Sequence, residues 1–221
     1  MDHSHPAWQR LKAEELLAQQ ISQLQSRRER AALRAPQLPG AVGQSLHARL
    51  LAALPFGLTK AQERVGGEIA KDMARHIPMH RLLQGDVGAG KTVVAALAAA
   101  TCIDAGWQCA LMAPTEILAE QHFRKLLGWL EPLGITTAWL TGTQKTKERR
   151  AMLALIESGE AQLVVGTHAI IQDKVQFKRL ALAIIDEQHR FGVAQRLALR
   201  KKMTAIEGEH EKGAELSLIH I

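Results

Sequence analysis

The segment RLLQGDVGAGKTVVAALAAA, residues 81–100, constrains the fold more than any other part of the sequence. It places Gly85, Gly90, Lys91 and Thr92 at the spacing G-x-x-x-x-G-K-[ST], which is typical of a loop whose backbone N–H groups wrap around a phosphate chain. A short apolar run precedes the loop, and an alanine-rich, helix-forming segment follows it. Strand, glycine-rich loop and helix in this order predict a nucleoside triphosphate site. The alternative is a flexible strand-to-helix turn that binds nothing.

The helix after the loop directs its unsatisfied N–H groups and its positive dipole end toward the loop. Bound phosphates would therefore meet both the backbone and the Lys91 ammonium, while Thr92 would supply a hydroxyl ligand to Mg²⁺. We expect the residues of this loop to bind MgATP: Gly85, Asp86, Val87, Gly88, Ala89, Gly90, Lys91 and Thr92.

Composition narrows the protein class and the kind of partner. The 221 residues are 47% hydrophobic and 23% charged, which is enough apolar material for one globular domain with an appendage. No uncharged apolar run of about 18 residues predicts a membrane span, and the N-terminus lacks the apolar region of a secretory signal. We therefore expect a cytoplasmic protein with no membrane partner. The cysteines, Cys102 and Cys109, lie apart from other metal ligands, so we expect buried free thiols.

The charge balance favours a nucleic-acid partner held by its backbone. The formal net charge is +6, which suits a polyanion. Aromatic residues make up 4% of the chain and tyrosine is absent. This composition argues against base-stacking surfaces and favours contacts with phosphate and sugar.

Periodicity divides the chain into three parts. Residues 5–34 lack glycine and place Leu17, Ile21 and Leu24 at helical spacing, so residues 1–45 are expected to be a helical connector that ends in a linker rich in proline and glycine, 35–45. Residues 46–202 alternate short apolar runs with helical segments, which predicts an α/β fold, a parallel sheet with helices on both faces. Residues 203–221 are expected to form an irregular or truncated tail, because ELSLIHI follows a polar stretch and has no recognisable partner.

A second cluster of polar residues follows a buried strand. The apolar run 180–185 ends in Asp186 and Glu187, and a parallel strand would deliver these carboxylates to the sheet edge that carries the phosphate loop. Asp186 would hold the Mg²⁺ of the nucleotide, and Glu187 would orient or deprotonate the attacking water. The alternative is a solvated pair at a strand end. His189 and the neighbouring Gln188 lack a second Cys or His at zinc-ligand spacing, so we expect no zinc site.

The strand and helix pattern gives further expectations. Strands are predicted at 81–84, 108–112, 135–140, 162–165 and 180–185, with helices at 116–130 and 146–158. On the first of these helices Ala119, Phe123, Leu126 and Leu130 are predicted to face the core. Thr59 is a predicted N-cap, and Gln62 completes a capping box, so Gln62 has a structural task available to it.

The motifs GDVGAGKT, APTEILAEQH, TGT, VVGTHAII and DEQHRFGVAQR occur in that order. This set resembles the first motor lobe of superfamily 2 DNA helicases of the DExH type, in the bacterial group that remodels replication forks. The resemblance covers about residues 8–200 and is highly specific. It implies a RecA-like P-loop lobe that uses ATP and Mg²⁺ to move along branched DNA, working with a second RecA-like lobe of the same parent chain.

The resemblance also implies residue roles. Lys91, Asp186 and Glu187 match the catalytic positions, and Thr92 with Asp186 match the Mg²⁺ ligands. Gln62 matches the adenine-sensing glutamine, with Phe56 close by. Gln188 and His189 match positions that couple hydrolysis to movement. Seven residues match the motifs that line the nucleic-acid track: Pro114, Thr115, Glu116, Thr141, Gly142, Thr167 and His168.

Two other functions fit the residues. A nucleotide-dependent nucleic-acid-binding module without motor activity would use the same phosphate loop. An RNA helicase lobe would share the chemistry as well, because backbone contacts do not report the sugar.

The resemblance predicts slow turnover by this chain alone. In the family, arginines of the second lobe stabilise the charge of the transition state, and an arginine of this kind contributes about 10³ to 10⁵ in rate. We expect the purified chain to bind MgATP but to hydrolyse it more slowly than about 1 s⁻¹, the low end of ordinary enzymes, with or without DNA. Phosphate release measures this rate. Faster turnover would show that the chain carries a complete catalytic set.

Overall fold

The computed structural model describes residues 6–31, 33–40, 43–86, 88–172, 174–186 and 216–221. The helices of these ranges are α1 (Pro6–Ala31), α2 (Leu46–Ala53), α3 (Lys60–Met73), α4 (Lys91–Asp104), α5 (Glu116–Leu130) and α6 (Thr146–Ser158). The strands are β1 (His80–Leu82), β2 (Gln108–Met112), β3 (Thr137–Leu140), β4 (Leu163–Gly166), β5 (Leu180–Ile185) and β6 (Ser217–His220). Two short 3₁₀ helices lie at Glu131–Leu133 and His168–Ile171.

The described strands form one six-stranded sheet in the order β1-β6-β5-β2-β4-β3, and every neighbouring pair is parallel. Parallel neighbours need crossover connections, and helices provide them between β1 and β2, β2 and β3, and β3 and β4. The central strands are apolar along their whole length: β2, β4 and nearly all of β5 are buried. A sheet covered on both faces needs such strands. The predicted α/β architecture is confirmed.

Helix α4 forms the centre of one face of the sheet. Its residues from Val93 to Ile103 are all buried, and the apolar ones among them join a core cluster with Leu111 of β2 and Ile184 of β5. Helices α2 and α3 pack against α4 on its other side. Alanine side chains allow this close layering, because they let a helix approach its neighbours without leaving large voids.

The opposite face of the sheet packs on a second cluster. Side chains alternate across a strand, so Ala110 and Val164 point away from α4 and meet Ile156 of α6 and Phe177. Further along the same sheet, Met112, Ala183 and Leu218 form a third cluster. Apolar side chains therefore leave the central strands on both faces.

The predicted linker is attached to the domain. Ala35 and Leu38 are 6% and 0% exposed. Their backbone N–H groups donate to the carbonyls of His76 and Met73 at 2.7 and 2.9 Å. These bonds fix the entry of the chain beside the C-terminal end of α3.

Local predictions agree with the structure at most elements. The bounds of α5, α6, β2 and β5 are those expected from periodicity, and the capping box at Thr59 is present. Strands β1 and β3 are shorter than expected. Both cysteines are buried free thiols, as predicted, and burial raises the pKa of each. Helix α1 forms, but Leu17, Ile21 and Leu24 on its apolar stripe are 61%, 47% and 55% exposed.

The prediction of an irregular tail is wrong for Ser217–His220. These residues form β6, which pairs with β1 on one side and β5 on the other. The strand is stable there because Leu218 and Ile219 are buried on opposite faces, and the Ser217 hydroxyl accepts a hydrogen bond from the backbone of Met79 at 3.3 Å. Its partners are distant in the sequence, so no local pattern revealed them.

Among the described helices, none combines the length and the apolar character that a membrane span requires. The residues predicted on the inner face of α5 are buried or partly buried, with Ala119, Leu126 and Leu130 at 0 to 1% exposure.

The substitution Gly166→Ala tests how closely strands β3 and β4 pack in the sheet. Gly166 ends β4, and a Cβ added there would strike the Leu140 carbonyl oxygen of β3, with the carbonyl carbon at 2.8 Å. Backbone atoms in a ladder yield little, so we expect Gly166→Ala to lower the free energy of unfolding by about 2 kcal/mol, as overpacked sites do. Urea denaturation measures this change.

Gly128→Ala is the matched control for that substitution. A Cβ at Gly128 of α5 meets no atom within 4 Å, and alanine favours a helix over glycine by about 1 kcal/mol. The control should be neutral or stabilising. Equal stability of the two variants would contradict the close approach of β3 and β4.

Candidate functional site

The carboxyl edge of the sheet collects most of the polar residues singled out from the sequence. The phosphate loop follows β1, and Asp186 follows β5. Strand β6 lies between β1 and β5, so the two strand ends are about 10 Å apart at the usual strand spacing. Loops after β2, β4 and β3 continue the same edge. One side of the edge therefore suits a nucleotide, and the other side carries the residues expected along a nucleic-acid track.

The phosphate loop is shaped by backbone that only glycine adopts easily. Gly90 is the N-cap of α4 and has φ 77°, in the left-handed region. A Cβ on Gly90 would also collide with the Gln62 side-chain nitrogen. Lys91 is the first residue of α4, and its Nζ donates to the Gly85 carbonyl at 2.8 Å. This hydrogen bond joins the start of α4 to the start of the loop, at a helix N-terminus that attracts anions.

Gln62 connects α3 to the phosphate loop. Its Oε1 accepts the Thr59 backbone N–H at 2.8 Å, which completes the capping box. Its Nε2 donates to the Ala89 carbonyl at 3.0 Å. One amide therefore caps a helix and holds the loop, so the structural task expected of Gln62 and a position at the nucleotide site are compatible.

Phe56 lies in a different environment. It is 45% exposed, and its ring meets Trp129 of α5 edge to face, with centroids 6.4 Å apart. The Lys125 ammonium lies 5.2 Å from the centroid of the same Trp129 ring. Helix α5 thus contributes an aromatic neighbour to Phe56, and Lys125 of the same helix lies against that neighbour, Trp129. Sequence reasoning did not identify Lys125 or Trp129.

Asp186 is held by two neighbouring elements. Its backbone N–H donates to the Met112 carbonyl at the end of β2, at 2.9 Å. Its Oδ2 lies 2.6 Å from Nε2 of His122 on α5, and each of the two side chains is 13% exposed. A carboxylate oxygen accepts, so Nε2 is the donor. His122 is the neighbour of Asp186 that sequence reasoning missed, although it falls inside the quoted motif APTEILAEQH.

The residues present suit Mg²⁺ that arrives with a nucleotide. Mg²⁺ prefers hard oxygen ligands and is usually held by one or two protein oxygens together with phosphates. The Asp186 carboxylate and the Thr92 hydroxyl are such ligands, and both belong to the carboxyl edge. No group of three or more His, Cys, Asp or Glu side chains that could hold a metal ion occurs in the part of the chain that the structure describes.

The expected track residues follow β2, β3 and β4, and three of them have structural partners described here: Thr115, Glu116 and Thr141. Thr115 caps α5 by accepting the Leu118 N–H at 3.3 Å. The Glu116 carboxylate accepts from the Thr143 hydroxyl at 2.8 and 3.0 Å, which joins the loops after β2 and β3. Pro114 precedes the cap and is partly exposed.

The loops after β3 and β4 are also joined to each other. Arg149 donates to the buried Thr141 carbonyl and to the Gln172 side chain, both at 2.8 Å. Thr167 is 2% exposed, and its hydroxyl has no hydrogen-bond partner among the described residues. Gly142 and His168 are exposed. The backbone of this side is therefore fixed while part of its surface remains accessible.

Four residues of the expected site lie outside the described residues: Val87, Glu187, Gln188 and His189. Their roles stay predictions.

Comparison with known proteins agrees with the resemblance seen in the motifs. The DEAD/DEAH box helicase family matches residues 59–217. A protein of Escherichia coli (strain K12), "ATP-dependent DNA helicase RecG", is 57% identical over 198 residues, which are 90% of this chain and 28% of that protein. The protein of the same name from Aquifex aeolicus is 44% identical over 189 residues, 86% of this chain and 24% of that protein. The chain thus spans about a quarter of the length of these relatives.

Solved structures show the same fold. A structure of RecG bound to a three-way DNA junction superposes with a TM-score of 0.79 at 39% identity, covering 96% of this chain and 27% of that one. The DEAD-box helicase Mss116, bound to single-stranded RNA, superposes with a TM-score of 0.63 at 18% identity, covering 82% and 38%. The second likeness concerns the RecA-like fold alone.

The two contacts of Gln62 predict separable effects. Thr59→Ala and Gln62→Ala each remove the capping box, so both should lower the free energy of unfolding by about 1 kcal/mol. Gln62→Ala alone also removes the bond to Ala89, which should weaken MgATP binding three- to tenfold at about 1 kcal/mol for one hydrogen bond. Titration with a fluorescent ATP analogue measures the affinity. Equal affinities of the two variants would contradict the role of the Ala89 contact.

Proposed function

Since the chain belongs to the DEAD/DEAH box helicase family, we propose that it is the first motor lobe of an ATP-dependent DNA translocase that remodels branched DNA. The observation that carries the proposal is the shared sheet edge: the phosphate loop and Asp186 lie on one side of it, and the loops after β2, β4 and β3 lie on the other. The similarity to RecG and to its structure on a three-way DNA junction supports DNA as the track.

In this proposal the residues of the nucleotide side have separate tasks. The loop N–H groups and Lys91 bind the β- and γ-phosphates, and Gln62 recognises the adenine from the start of α3. Thr92 and Asp186 hold Mg²⁺, which when bound neutralises charge on the phosphates. Glu187 accepts the proton of the attacking water. All these groups act by binding, orienting or moving a proton, which is what phosphoryl transfer demands of a protein.

The other side of the edge binds the sugar-phosphate backbone. The N-terminus of α5, capped by Thr115, presents its free N–H groups where a phosphate is favoured. The exposed His168 and Gly142 lie on loops that Arg149 holds in place. A net charge of +6 favours such a polyanion. Sequence-independent contacts of this kind suit an enzyme that must advance along any sequence.

The chain spans 28% of the length of the Escherichia coli RecG proteins, so catalysis is proposed for the whole protein. A second RecA-like lobe closes over the carboxyl edge and supplies the arginines that stabilise the transition state. Alone, this lobe binds MgATP and turns over slowly. The sequence is also compatible with a binding module without motor activity and with an RNA helicase lobe. Each of these alternatives predicts a different experimental result.

Two substitutions in the full-length protein distinguish a motor from a binding module. Lys91→Ala removes the phosphate contact, so MgATP binding and the unwinding of a DNA junction should both be lost. Glu187→Gln retains binding but should lower ATP hydrolysis at least about 100-fold, as loss of a general base does, and should abolish unwinding. Lys71→Ala, at an exposed position on α3, is the matched control and should behave as wild type.

Unwinding that survives Glu187→Gln would favour the binding module over the motor. The choice of nucleic acid has its own readout: a three-way junction made of DNA should stimulate ATP hydrolysis more strongly than the same junction made of RNA. Equal or stronger stimulation by RNA would favour the RNA helicase lobe.

A further inference from the structure

His122 is a polar residue on the buried side of α5. It lies three residues after Ala119 and four before Leu126, which are 0% and 1% exposed, so its helix position faces the sheet. A histidine in such a position needs a polar partner, because burying an unsatisfied ring N–H is costly. Its partner is the Oδ2 atom of Asp186, at 2.6 Å.

The contact joins helix and strand at the point where the proposed Mg²⁺ ligand leaves the sheet. The backbone N–H of Asp186 is bound to Met112 of β2, so the main chain is fixed by the sheet ladder. The carboxylate is fixed separately, by His122. The imidazole engages Oδ2 and leaves Oδ1 without a contact to His122. The hydrogen bond therefore restricts the orientations that the Asp186 carboxylate can adopt.

Helix α5, which carries the imidazole, is attached to the domain at its first turn and along its inner face. Its first turn is capped by Thr115 and tied to the next loop through Glu116 and Thr143. Its inner face is anchored in the core by Leu126 and Leu130, at 1% and 0% exposure. A ligand residue whose partner sits on an anchored element is held close to its productive geometry before the metal arrives.

From this geometry we propose that His122 is a positioning residue for the Mg²⁺ site: it orients the Asp186 carboxylate toward Mg²⁺–nucleotide by donating from Nε2 to Oδ2. The proposal rests on the proposed function, because it needs a nucleotide at the phosphate loop. Partners that orient a metal ligand typically change metal affinity 10- to 100-fold when they are removed. A histidine that only filled the core would affect stability and leave the Mg²⁺ dependence unchanged.

Three variants of the full-length protein test the proposal. His122→Phe keeps a ring of similar size but has no donor, and His122→Asn keeps a polar side chain that is too short to reach Asp186. His122→Gln carries an amide donor at about the reach of Nε2 and should restore the contact. Gln121→Ala, at the exposed neighbouring position of α5, is the matched control for changes in the helix.

The primary readout is nucleotide binding with and without Mg²⁺, followed with a fluorescent ATP analogue. In wild type, Mg²⁺ should strengthen binding. His122→Phe and His122→Asn should raise the Mg²⁺ concentration for half-maximal effect about tenfold or more, while binding in EDTA stays unchanged. His122→Gln and Gln121→Ala should remain within about threefold of wild type. The Mg²⁺ dependence of DNA-stimulated ATP hydrolysis should shift in parallel.

The possible failures are distinguishable. If the wild-type protein binds no nucleotide in the presence of Mg²⁺, the proposed function itself is contradicted. Wild-type behaviour of a folded His122→Phe or His122→Asn protein would overturn the positioning role and leave the proposed function intact. Circular dichroism identifies the folded variants. If neither folds, His122→Gln decides. The proposal expects its Mg²⁺ response within about threefold of wild type, because the amide supplies a donor at the same reach, and a tenfold weaker response of the folded variant would contradict the proposal.

Discussion

The parallel ladder on both sides of β5 is the constraint on which the rest of the structure depends. Strand β5 pairs with β2 on one side and with β6 on the other, and β6 pairs in turn with β1. Because every pair is parallel, the chain leaves β1 and β5 at the same edge of the sheet. The phosphate loop and Asp186 are therefore brought to one surface, although they are far apart in the sequence. The apolar side chains of β5, buried on both faces, hold this arrangement in place.

Several residues of the site also have a structural task. Gln62 caps α3 and holds the phosphate loop, Thr115 caps α5 at the edge proposed for nucleic acid, and Arg149 joins two loops of that same edge. The geometry of the site is thus a consequence of how the helices begin and how the loops are connected. Substituting such residues alters folding and binding together, so matched controls that separate the two effects are informative at this site.

The sequence predicts what is encoded locally. The spacing of Gly85, Gly90 and Lys91 is recognisable because the loop and the helix start are contiguous, and the capping box at Thr59 spans a single turn. The apolar periodicity of helix α5 is strong, so the sequence predicts both ends of this helix. Strand β6 is not predicted from the sequence, because one of the two strands that it pairs with, β1, lies more than a hundred positions away. In that pairing His80 is the partner of Leu218. Sequence periodicity carries no information on such partners.

His122 illustrates the same limit at the level of one side chain. Its helical position, three residues after Ala119 and four before Leu126, can be read from the sequence, but its partner follows from the adjacency of β2 and β5, which only the fold provides. The exposed stripe of α1 shows the opposite case, where periodicity predicts the helix but not the environment of its apolar side.

The convergence of Lys91 and Asp186 on one Mg²⁺–triphosphate is the central claim, and anomalous diffraction tests it most directly. A crystal of the protein grown with Mn²⁺ and a non-hydrolysable ATP analogue would show the metal as an anomalous peak. We expect that peak between the phosphate loop and the end of β5, on phosphates contacted by Lys91 Nζ and on the side of the Asp186 carboxylate. A metal peak away from the end of β5, or phosphates bound outside the loop, would contradict the account.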